Sequence, residues 1–430
     1  MVHVLILLAL LLHTAHATAG EEIPGAKQRQ PIALTNAVVH TASGATQNGA
    51  TVLFDNGVIL QVGQNVVIPA GARVVDCKGG HVYPGFITPA TTLGLVEIDA
   101  VRATRDMSEA GGVNPNARAE TAYNPDSDII PTVRSNGVLL ANVTPVGGLV
   151  SGLSSLMRLD GWTREDIAVI PTSGLVVNWP GMDVISAPWM KASPEEQRKN
   201  IEESVRSVHT LFAQARAYSA ASRAKVDTTK KDIRLEAMRC VFEQGTPVLV
   251  NASSIRQIAS VLEFKEAFGV NIILVGAEDA DMMIPQIQKA GVSVIVGRVH
   301  SLPRRDEDAY DRPFVLPSLL AAAGIPFAFS DGGSWQQRNL PFQAGTARAF
   351  GLSEDDAIKA LTIWPAKMYG VDSLYGTLEE GKSATLFVST GDALDALTNK
   401  VVSAFIDGRE VDLNNRHKRL AKKYRERSKP

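Results

Sequence analysis

The chain has 430 residues, 45% of them hydrophobic and 20% charged, which suits a large globular core with room for two domains and excludes disordered, fibrous and low-complexity classes. A formal net charge of −2 gives no overall basic field for nucleic acid. The two cysteines, Cys77 and Cys240, lie far apart and without Cys-x-x-Cys spacing, so a disulfide framework and a zinc ribbon are both excluded.

Val4 to Leu12 is an unbroken apolar run followed by Ala15-His16-Ala17 and Ala17-Thr18-Ala19, two small-x-small patterns. Residues 1–19 therefore read as a secretory signal, cleaved after Ala17 or Ala19. The run is too short to span a bilayer as a mature helix. The expectation is an exported protein, periplasmic or secreted, with no membrane span after cleavage.

From Pro31 to Val82 short apolar runs alternate with turns: Ala37–Thr41, Thr51–Phe54, the Asp55-Asn56-Gly57 turn, Val58–Gly63 and Ala72–Asp76. Period-two runs joined by Asn-Gly predict a small antiparallel β unit. Similar runs, Ala384–Val388 and Val401–Val411, recur near the other end. Between them lie near-continuous apolar runs, Gly137–Thr144, Thr246–Asn251, Val270–Gly276, Gly291–Gly297 and Ile325–Asp331, which predict strands buried on both faces. Helical patterns fall between the runs. Ile201, Val205, Val208, Phe212 and Ala215 make one stripe over Glu195–Ala224, and Ser353 precedes an acidic first turn as an N-cap. An α/β fold results, and a (β/α)8 barrel fits the alternation and length, with any chemistry at the C-terminal strand ends. Arg416 to Pro430 closes the chain with eight Lys/Arg against one acid and leaves −9 on the remainder; it reads as a solvated basic tail without an aromatic stacking motif.

The stretch Asp76–Gly94, DCKGGHVYPGFITPATTLG, organises this layout. It resembles the amidohydrolase superfamily, imidazolonepropionase-like branch, in which Gly-Lys-x-Val-x-Pro-Gly-Leu-Ile-Asp-x-His-x-His leads into the first barrel strand. Aligned on Pro84-Gly85, the two metal-binding His become Ala90 and Thr92, and the Asp becomes Thr88. Gly376–Lys382 matches the family's Gly-x-Leu-Glu-x-Gly-Lys phrase, with Thr385 where the family has Asp. The resemblance implies a (β/α)8 barrel over residues 84–370, a composite β-sandwich from residues 20–83 and 371–413, and a basic tail over 414–430. It also implies a Zn or Fe centre, and the replaced residues predict that this metal is lost, because neither Ala nor Thr offers an imidazole nitrogen.

Other strand ends follow the same pattern. Asn251 in Val250-Asn251-Ala252 stands where the family has His, and the sixth-strand His is replaced within Leu274–Asp279. Asp331 in Phe329-Ser330-Asp331-Gly332 is intact, matching the catalytic Asp that in active relatives touches the metal and takes a proton from the attacking water. Thr92, Asn251, Glu278, His300 and the Gly147-Gly148 loop are the expected substrate-binding groups around Asp331. Glu278 and Asp279 could join Asp331 as oxygen ligands of a hard cation, and His300 with Arg298, Arg304 and Arg305 could meet an anion; solvated loops are the competing readings. Arg102 and Arg105 could clamp a carboxylate, or pair with Asp106 within their loop. Backbone N–H groups of Pro145–Gly152 could face an anion, although no Lys follows the last Gly as in a P-loop.

Two functions stay open. One is hydrolysis of non-peptide C–N bonds; the other is a metal-free protein that binds a small-molecule ligand or serves as a partner subunit, in a homo-oligomer or beside an active paralogue. No nucleic-acid partner is expected.

Overall fold

The computed structural model describes residues 23–224 and 231–427, so the expected signal at 1–19 lies outside the described residues. Five strands open the fold: β1 (Ile32–Val39), β2 (Gln47–Asp55), β3 (Val58–Gly63), β4 (Arg73–Asp76) and β5 (His81–Pro84). Eight follow: β6 (Phe86–Thr91), β7 (Val138–Val143), β8 (Val150–Arg158), β9 (Ala168–Asn178), β10 (Val248–Ala252), β11 (Ile272–Gly276), β12 (Ser293–Val296) and β13 (Phe327–Phe329). Three close it: β14 (Leu386–Ser389), β15 (Val401–Ile406) and β16 (Arg409–Glu410).

Both ends of the chain share one sheet, ordered β16-β15-β14-β5-β1-β2-β3 with β4 also on β1. The seam is β14 against β5, antiparallel, with Val388 opposite Val82. Asn56 (φ 48°) and Gly57 (φ 81°) both turn left-handed between β2 and β3, the conformation a two-residue hairpin requires. Leu34, Val52, Phe54, Ile59, Leu386 and Phe405 are buried together in this sheet's own apolar core, Phe54 meeting Phe405 edge-on at 5.0 Å.

The other sheet runs β13-β12-β11-β10-β9-β8-β7-β6. Its two ends come back together through side chains: the Ser330 hydroxyl donates to the Ala90 carbonyl at 2.8 Å and Thr91 to the Gly333 carbonyl at 2.8 Å. Pairing is parallel except around β8, which runs antiparallel to both β7 and β9. The uniform parallel β/α alternation expected from the sequence therefore fails there. The physical reason is length: only Thr144–Leu149 separates β7 from β8, and a parallel crossover needs about a dozen residues.

Helices cover the barrel's outside. Ser193 and Glu196 form a capping box at the start of the Pro194–Arg223 helix, and Ser254 with Gln257 does the same for Ile255–Phe268. Val208, Phe212 and Ala215 are buried as the stripe predicted, with Phe212 edge-on to Phe264 at 4.8 Å; Ile201 and Val205 are only half-buried. Ser353 caps the Glu354–Leu361 helix by accepting from the Asp356 amide. The Asp76–Gly94 stretch joins the two sheets, since β5 belongs to one and β6 to the other. At that joint Tyr83 stacks on His40 at 4.2 Å, the His40 and His81 rings meet through Nε2 and Nδ1 at 2.9 Å, and burial pushes the His40 imidazole down to about 4.

Candidate functional site at the barrel mouth

The C-terminal ends of the parallel strands form one face of the barrel, and its side chains separate into a neutral half and a charged half. In the neutral half, the Asn251 side-chain amide on β10 donates to Asn178 Oδ1 on β9 at 2.7 Å. The Asn178 amide in turn donates to the Gly148 carbonyl at 2.7 Å and to Ser151 Oγ at 2.9 Å. The structure thus brings Asn251 and the Gly147-Gly148 loop together through Asn178, a residue that sequence reasoning missed. Within the loop, Val146 N–H donates to the Met107 carbonyl and Leu149 N–H to the Gly112 carbonyl, while Gly148 presents its carbonyl to Asn178.

Beneath the mouth lies a second neutral cluster. Thr88 donates to Gln337 Oε1 at 2.7 Å, and Gln337 Nε2 donates to the Gly333 carbonyl at 2.9 Å, both side chains being fully buried. Ala90 and Thr92 flank it, 8% and 7% exposed. Among the described residues no side-chain hydrogen bond ties Thr92 to Asn251 or Asp331; its carbonyl accepts from the Leu95 amide.

The charged half holds Asp331, whose side chain is 2% exposed. Its Oδ2 accepts from Gln343 Nε2 at 2.7 Å, and Arg298 Nε stands 3.4 Å from Oδ1. Gln343 is itself fixed by accepting from the Val299 amide at 2.7 Å. Burial raises the Asp331 carboxyl above its usual range, and the Arg298 and Arg338 charges only partly oppose it. His300 is exposed, meets Thr346 Oγ1 at 2.7 Å, and has its pKa lowered by partial burial and by Arg298. It takes no part in holding Asp331.

Asp279 corrects the cation expectation. Its carboxylate is fully buried and meets Arg305 at 2.5 Å, Arg312 at 3.2 Å, Arg304 at 3.3 Å and the Ile255 amide at 3.2 Å. Three guanidinium charges around this carboxylate neutralise it and repel a further cation. Asp279 thus engages Arg304 and Arg305 in ion pairs. Arg102 and Arg105 are exposed, and neither pairs with Asp106 among the described residues. Glu278, by contrast, lines a cavity of about 200 Å³ whose other charged lining groups are Arg298, Arg304, Asp308 and Arg312 and whose apolar wall includes Leu302 and Leu316.

A Zn or Fe centre of the kind the resemblance implies needs several converging imidazole, thiolate or carboxylate donors. No three His, Cys, Asp or Glu groups converge among the described residues, and the neutral amides and hydroxyls that occupy the mouth are satisfied by one another. The donor set does not fit such a metal.

The amidohydrolase family profile matches residues 191–411. The chain belongs to the amidohydrolase family. Imidazolonepropionase of Thermoplasma acidophilum is 20% identical over 364 residues, covering 81% of this chain and 84% of that protein. A dihydroorotase of Geobacter sulfurreducens is 36% identical over 117 residues, 24% of this chain and 25% of that protein. An amidohydrolase structure from Thermotoga maritima superposes with a TM-score of 0.77 at 23% identity, over 89% of this chain and 99% of that one, which shows a common fold. This amidohydrolase therefore has the barrel of its family.

Proposed function

We propose that this amidohydrolase is an exported ligand-binding protein that does not perform its family's metal-assisted hydrolysis. One observation carries the reading: Ala90, Thr92 and Asn251 stand where the resemblance places imidazoles, and Asn251 is already committed to Asn178. A catalytic metal brings bound water from a pKa of about 15.7 to about 7. Losing it withdraws roughly 9 units, about 12 kcal/mol, from hydroxide formation. A lone general base restores only about 10²- to 10⁴-fold. Asp331 is in addition engaged by Gln343 and Arg298, so its oxygens already hold donors.

The retained carboxylate supports a second reading, hydrolysis of a non-peptide C–N bond. Its raised pKa suits a group that exchanges protons nearer neutrality. In an assembly, a relative that keeps His-x-His would supply the hydrolysis and this chain the ligand contacts.

Elemental analysis of the purified chain, with assays on simple and cyclic amides, separates the readings. The expectation is less than one Zn or Fe per chain and turnover at background. Turnover that a chelator abolishes would establish the hydrolase and overturn the binding-only reading.

A further inference from the structure

The end of β11 is built in an unusual way. Gly276 (φ 89°) and then Ala277 (φ 44°) are both left-handed, and the second is a fully buried non-glycine residue for which that conformation costs about 1 kcal/mol or more. Backbone hydrogen bonds on both sides hold it: the Ala277 amide donates to the Ala252 carbonyl and the Gly297 amide to the Gly276 carbonyl, each at 2.9 Å. The strained pair divides two consecutive acids. Asp279 goes down into the arginine cluster, and Glu278 goes to the wall of the 200 Å³ cavity.

Glu278 makes no hydrogen bond or ion pair among the described residues. On the same cavity wall stands Arg298, whose one ion-pair partner among them is Asp331, through Nε at 3.4 Å. The rest of its guanidinium fork retains donors suited to a carboxylate. Leu302, Pro303 and Leu316 supply an apolar wall, and Leu302 is 89% exposed. The volume is below the roughly 300–1,000 Å³ of a drug-sized site, so the ligand is small.

We infer that this cavity binds a small zwitterion of the amino-acid class, its carboxylate on Arg298, its ammonium on Glu278 and its apolar side chain over Leu302. This deepens the reading of the mouth as a ligand site and rests on it. Arg304, Arg312 and Asp308 also line the cavity but are engaged in ion pairs, Arg304 with Asp279 and Arg312 with Asp281 and Asp308, so Glu278 and Arg298 are the lining charges with capacity left, and a ligand carrying both charges leaves neither opposed.

The test is isothermal titration of the full chain with L-leucine, N-acetyl-L-leucine, which lacks the ammonium, and L-leucinamide, which lacks the carboxylate. Leucine is expected to bind saturably and each analogue at least tenfold more weakly. E278Q should erase the preference over N-acetyl-leucine, and R298Q the preference over leucinamide. Glu278 has no hydrogen-bond or ion-pair partner among the described residues to lose, so E278Q should unfold at the same urea concentration as the parent. If N-acetyl-leucine or leucinamide binds as tightly as leucine and R298Q or E278Q abolishes it, the zwitterion class is wrong and the ligand site stands. Leucine binding untouched by both substitutions would overturn the placement in this cavity. Absence of heat from all three compounds would overturn both the ligand class and the binding reading beneath it.

Discussion

The β11 end and the β13 end of the barrel mouth each bury one carboxylate, and they surround it differently. Asp279 has three guanidinium groups and a backbone amide; Asp331 has one side-chain amide and one guanidinium at 3.4 Å. Two aspartates at strand ends separated by β12 thus have opposite roles. Where cations saturate the carboxylate, it fastens elements together, here β11 to the loop and helix that carry Arg304, Arg305 and Arg312. Where they do not, burial wins and the carboxyl pKa rises, which is the usual condition of a group that meets ligands or protons.

The strongest way to break this comparison is Asp279→Ala. Removing one member of a buried ionic cluster costs about 3–5 kcal/mol because the remaining charges lose their counter-ion. Here the lower end is expected, about 3 kcal/mol, since the Arg304 and Arg305 side chains are 32% and 30% exposed and can turn to water. Urea unfolding measures it. A loss below about 1 kcal/mol would mean that Asp279 is no more structural than a surface ion pair.

The neutral half of the mouth supplies a middle-sized effect. Asn178→Ala leaves Asn251 without its acceptor and Gly148 and Ser151 without their donor. An unmade buried hydrogen bond costs about 1–3 kcal/mol, and the partly open position of this network puts the expectation at about 1–2 kcal/mol. Adding Asn251→Ala should cost little more, because the two residues share one bond. Full additivity in a double-mutant cycle would show that the network is not one unit.

These residues also mark how far the sequence could be read. β7, β10, β11, β12 and β13 announce themselves as continuous apolar runs, and Asn251 and Asp331 stand out as polar residues ending such runs. β8 does not, because Ser151, Gly152, Ser154 and Ser155 interrupt it; those serines are buried yet satisfied, Ser154 by Ser173 at 2.9 Å and Ser155 by the Pro171 carbonyl at 2.8 Å. With β8 and β9 unassigned, Asn178 at the end of β9 carried no signal. Gln337 and Gln343 lie on helical segments following β13, and nothing local ties them to Thr88 or Asp331. Glu278 and Asp279 read as a pair because they are adjacent, whereas the left-handed Gly276-Ala277 turn sends them to different surroundings.

The smallest effect sharpens the comparison most. Asp331→Asn keeps an oxygen for the Gln343 amide and removes only the charge, so stability near about pH 7 should change by no more than about 1 kcal/mol. Its pH dependence carries the information. The folded pKa of Asp331 lies above its value in the unfolded chain, so between those two values the folded state keeps a proton that the unfolded state has released. The group's contribution is therefore fully present below the unfolded pKa and is lost as pH rises through the raised folded pKa. Asp331→Asn has no such proton, so the parent should lose stability relative to the variant as pH rises across that window. Urea unfolding of both proteins across it, with all other groups common to the two, reads the difference directly. The opposite slope, with the parent gaining on the variant as pH rises, would mean that Arg298 outweighs burial. Asp331 would then be a second Asp279, a fastening carboxylate, and the mouth would have no ionisable group in reserve.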